Sequence, residues 1–110
     1  MKLFNFRTRS AGRDREKDLK RLGTVRDVVS AALTDARKEH DGLRRRYETT
    51  QADAAFLYED TDAIRPERLD RLEVQLMAAS TRLAALVDQI ERLETVAAEV
   101  EALISRSRPE

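Results

Sequence analysis

The chain has one histidine, His40, whose imidazole titrates near neutrality and can bind a metal. A metal site needs further ligands, and the repeat described below sets His40 opposite Leu86, which offers none. His40 therefore reads as a polar residue on an apolar seam that pins its register. Arg44, Arg45 and Arg46 form a basic run suited in principle to phosphate. Three consecutive helical residues fan over different faces, however, and Asp41 and Glu48 flank them, so the expected role is a solvated surface. Tyr47 and Tyr58 have no nucleophile or base arranged near them. The segment from Lys2 to Arg7 interleaves basic residues with Phe4 and Phe6. Such a segment can lie in a membrane interface or dock in a groove, with Lys2, Phe4, Phe6 and Arg7 making the contacts. The plainer expectation is a flexible tail. No glycine-rich phosphate loop, catalytic triad pattern or metal-ligand cluster occurs. The expectation is a protein without enzymatic activity, cofactor, metal or small-molecule substrate.

Composition limits the class. The 110 residues suffice for one small domain. They are 38% charged and 5% aromatic, with no Cys or Trp, as expected for long helices that bury only a stripe. The formal net charge is zero, so bulk charge points to neither nucleic acid nor anionic membrane. Without Cys, no disulfide framework or thiolate site is possible. The N-terminus is basic but lacks the apolar core of a secretory signal, and no apolar run approaches transmembrane length. A soluble, cytoplasmic protein is expected. The excess of Arg over Lys and the abundance of Ala match a GC-rich bacterial genome.

Two heptad repeats must position whatever the chain uses. Leu69, Leu72, Leu76, Ala79, Leu83, Leu86, Ile90, Leu93, Ala97, Val100 and Ile104 recur at unbroken 3-4 spacing. Upstream, Leu57, Ala54, Thr50, Tyr47, Leu43, His40, Ala36, Leu33, Val29, Arg26 and Leu22 recur at the same spacing read backwards. Paired in that order, the two residue numbers always sum to 126. Large residues face small ones at Tyr47–Ala79, Ala36–Ile90, Val29–Ala97 and Ala54–Leu72, as interlocking side chains require. The fold expected is all-α: two long helices in an antiparallel coiled-coil hairpin, with pairing into a four-helix bundle as an option.

The boundaries follow from local signals. Residues 1–13 read as a basic tail. Asp14, Glu16 and Asp18 then suit the positive end of a helix over about 14–60, roughly 70 Å long. Residues 61–65 form the turn, where Ile64 and Leu69 have the spacing of a hydrophobic staple and Asp60 should face Arg68. Pro66 suits the first position of a second helix over about 66–106, and 107–110 trail from it. Glu67–Arg71 and Asp88–Arg92 are spaced as ion pairs along one helix.

A two-helix seam needs only positions a and d. Away from the turn, the flanking g positions also become apolar. Val25 should face Leu103, Ala32 should face Val96, and Val28 lies beside them. Extra apolar flanks imply a further helix packed there, because a two-helix core is thin. The expected function is a coiled-coil scaffold, adaptor or chaperone-like protein acting through Val25, Val28, Ala32, Val96 and Leu103. Its partner would be another copy or a helical protein. The competing expectation is a peripheral membrane- or nucleic-acid-associated factor led by the basic tail.

Overall fold

A computed structural model describes residues 2–59 and 66–108, with side chains from residue 10 onward. The fold is an all-α two-helix hairpin. Helix α1 spans Lys2–Glu59 and helix α2 spans Pro66–Ser107. Among the described residues there is no strand, no cis peptide and no residue of positive φ. The backbone is therefore uninterrupted helix on both sides of the connection. The expected staple at Ile64 and the Asp60–Arg68 pair lie outside the described residues.

α1 is already helical at Ser10, ahead of the expected start near Asp14. No proline intervenes, and Gly12 costs a helix only about 1 kcal/mol, too little to stop propagation. At the other end, Ser107 donates its hydroxyl to the Leu103 carbonyl at 3.0 Å, and Arg108 N–H donates to the Ile104 carbonyl at 3.1 Å. Arg108 precedes Pro109, which disfavours helical φ/ψ there, and α2 ends at Ser107. Three outward threonines are accommodated by bonding back one turn. Thr24, Thr49 and Thr81 donate to the carbonyls of Lys20, Arg45 and Met77.

Packing divides the chain into two compact units, Thr34–Glu91 and Met1–Leu33 with Arg92–Glu110. In the first, Tyr58 meets Glu73 and Glu39 meets Arg82, so residue numbers fall along α1 as they rise along α2. That makes the pair antiparallel. Its buried residues are Ala36, Ala54, Leu57 and Leu86, all on the expected seam. Leu86 is the most enclosed, at 1% exposure. The remaining seam positions of this unit, His40 and Thr50 included, are half-buried, and among its described residues Gly42 is the one non-seam position as sheltered as they are.

The second unit follows the same rule. Val29, Leu33, Val100 and Ile104 are buried, and Leu22, Leu93 and Ala97 are half-buried. Burial also continues one pair further than expected: Leu19 and Ser107 are both half-buried and keep the same register. Arg26 is the departure. It occupies a seam position yet is exposed, with Nη1 3.9 Å from Glu101 Oε1 and Nε 3.8 Å from Asp27 Oδ1. A guanidinium enclosed without a partner would be costly, and a long side chain can carry it out to water.

Candidate interaction face

The seam of the Met1–Leu33/Arg92–Glu110 unit separates two flanks of opposite character. Helical geometry assigns Glu101 to position e and Asp27 to position b, both on one side of the seam. Arg26 leans to that side, towards Asp27 and Glu101. The other side carries the g positions Val25, Ala32, Val96 and Leu103 and the c position Val28. Val25, Val96 and Leu103 are 41%, 39% and 44% exposed, and Ala32 is exposed as well. They are partly sheltered by the seam they border. Val28, one step farther round α1, is 65% exposed. The five residues singled out from the sequence thus lie on one flank, and all of them meet solvent.

Charges border this flank. Arg21 and Asp18 stand 3.7 Å apart on α1. Near the end of α2, a surface depression is lined by Ala11, Asp14, Arg15, Asp18, Arg106, Ser107 and Arg108. Its cationic and anionic side chains are interspersed. The Ser107 hydroxyl is spent on the Leu103 carbonyl, and no lining residue forms a nucleophile–base pair.

In the Thr34–Glu91 unit the g positions are polar, and the e positions are polar apart from Tyr58 and Val87, the latter 43% exposed. On the g side, Arg82 grips the Glu39 carboxylate with two donors, Nε at 2.7 Å and Nη2 at 3.0 Å. The hydrogen bond and charge of Arg82, with Arg46 contributing, hold Glu39 below the ordinary glutamate range. The same bond raises Arg82. On the e side, the Tyr58 hydroxyl donates to Glu73 Oε1 at 2.8 Å. That bond and the Glu73 charge push the Tyr58 phenol up.

The remaining candidates resolve plainly. His40 lies mostly buried, with Nδ1 3.3 Å from Asp41 Oδ1. No group of three or more potential metal ligands exists among the described residues. Arg44 pairs with Glu48 at 3.4 Å, and the whole Arg44–Arg46 run is exposed, as a solvated face requires. Phe56 and Met77 are exposed, but they occupy c and b positions on opposite flanks and form no common patch. Arg71 Nε donates to the Glu67 backbone carbonyl at 3.4 Å. The side chains of Lys2, Phe4, Phe6 and Arg7 lie outside the described residues. Among those described, no helix is long and apolar enough to cross a membrane.

The cross-helix pairs Glu39–Arg82, Tyr58–Glu73 and Arg26–Glu101 were not anticipated. Glu39–Arg82 joins g to g and Tyr58–Glu73 joins e to e, so heptad labels contain both. The g pair is displaced along the helices, because the g residue nearest Arg82 in level is Arg46, a like charge. No family model, curated protein or solved structure matches this chain. Fold and site together define its class as a two-helix coiled-coil hairpin with one apolar flank.

Proposed function

We propose that the chain is a non-enzymatic interaction protein whose work is done by helix–helix contact through Val25, Val28, Ala32, Val96 and Leu103. The observation that carries this reading is the asymmetry about a completed seam. The seam already buries Val29, Leu33, Val100 and Ile104, yet the flank beside it still leaves apolar surface of Val25, Val28, Val96 and Leu103 in water. Placing those side chains in water is unfavourable, at about 25 cal/mol per Å² of apolar surface. A single exposed valine is ordinary on any protein, but five apolar residues at helical spacing on one flank mark a contact surface. The opposite flank, with Arg26, Asp27 and Glu101, is soluble by design of the same repeat.

Leu103→Glu and Val25→Glu test the reading. Each places a charge on the flank without touching the seam. Both variants should keep the helical circular dichroism of the parent and lose the complexes that the parent forms in cells, compared by quantitative mass spectrometry of captured proteins. Identical complexes for parent and variants would sink the proposal.

A further inference from the structure

From the width and charge of this flank we infer that its occupant is a second copy of this chain, so that two hairpins close into a four-helix bundle. The inference rests on the interaction role proposed above and names its partner. Width is the first argument. At 100° per residue, position c lies 40° beyond g, on the side away from the seam. A single incoming helix would settle over the groove between the two g columns and cover Val25, Ala32, Val96 and Leu103. It would leave Val28, the most exposed of the five at 65%, at its edge. Covering Val28 as well takes a face two helices wide. This hairpin presents such a face itself.

Charge is the second argument. The formal net charge of the chain is zero, so two copies approach without net repulsion, and a near-zero net charge favours self-association. Around the flank, Asp18, Arg21, Arg92, Glu99 and Arg106 mix both signs, and Asp18 already neutralises Arg21 at 3.7 Å. A strongly acidic or strongly basic partner would meet repulsion somewhere on that border. A partner with the same mixed border can match sign to sign. Size agrees too, because the α1 column alternates Val25 with Ala32 while the α2 column is bulky throughout. Ala32 leaves room on α1, and Val96 and Leu103 supply volume on α2, so facing copies can interlock.

Sedimentation equilibrium of the full chain over a range of concentrations tests the inference. The expected result is a dimer mass that becomes a monomer mass in Val28→Glu, with the helical signal unchanged. A milder variant, Val28→Ser, should weaken the dimer at least tenfold and guards against misfolding of the charged one. A parent that stays monomeric at every concentration, or a dimer indifferent to both Val28 variants, would overturn it. Anilinonaphthalene sulfonate separates the two levels of the argument. A monomeric parent that binds the dye, with binding lost in Val28→Glu, rejects the second copy and retains an open contact face. A monomeric parent that binds none rejects both.

Discussion

Arg82 and Glu39 are bound side chain to side chain across the two helices by two hydrogen bonds, at 2.7 and 3.0 Å. The fork geometry fixes the rotation and the relative height of the two helices there. Glu39 is held below the ordinary glutamate range by Arg82 and secondarily by Arg46. A lowered carboxylate contributes stability that is complete above its unfolded value and is lost as pH falls through the folded one. Thermal unfolding should therefore show a shallow loss of midpoint on acidification through that window. Glu39→Gln should remove this part of the slope. Because the pair is solvent-exposed, added salt should shrink the difference between parent and variant.

Tyr58 makes the opposite prediction at the alkaline end. Its hydroxyl donates to Glu73, which raises the phenol above the ordinary tyrosine value. The contribution is present below the unfolded value and disappears as pH rises through the folded one. Phenolate absorbance should show Tyr58 titrating late in the parent and earlier in Glu73→Gln. If the two titrations coincide, the hydrogen bond does not persist in solution.

Leu86 is the most enclosed side chain of its unit, so truncating it should cost about 2–5 kcal/mol in urea unfolding. Met77→Ala, on the exposed outer surface, should cost less than about 0.5 kcal/mol. Ala36 tests the same seam in the other sense. It is buried opposite Ile90, and Ala36→Leu should destabilise by about 1–3 kcal/mol through overpacking.

Gly23 and Gly42 offer a gain. Neither has positive φ, and an added Cβ at either meets nothing within 4 Å. Alanine there should stabilise the hairpin by about 0.5–1 kcal/mol per site, read from the urea midpoint. No change would mean that the helix is already frayed at that turn.

These expectations stand on a seam that was legible from the repeat alone. Every buried residue among those described is an a or d position, because burying an apolar stripe is the dominant favourable term and heptad spacing records it directly. The exceptions have physical causes. Arg26 obeys the spacing but not the burial, since a long charged side chain can leave a position that a short apolar one must fill. Leu19 and Ser107 extend the register by one further half-buried pair, in which polar Ser107 adds no apolar signal. Glu39–Arg82 was hidden because equal-level pairing would set Arg82 against Arg46, and the side chain instead reaches along the helix. Ser10-Ala11-Gly12 and the carboxylates from Asp14 onward suggested a later start, but a single glycine costs too little to stop the helix. The apolar flank was legible as a list of residues. The side to which Arg26 leans was not legible, because an a position does not say which flank its side chain takes.

The constant register also has a kinetic consequence. Each seam pair farther from the connection joins residues more distant in sequence, from Leu57 with Leu69 outward to Leu22 with Ile104. If each pair forms on the one before it, closure never requires a large loop in a single step, and the chain can zip with little entropic barrier per step. Substitutions near the connection, such as Leu57→Ala, should slow folding, whereas Ile104→Ala should chiefly hasten unfolding. Stopped-flow chevrons of the two variants would show the contrast, with the folding arm displaced in the first and the unfolding arm in the second.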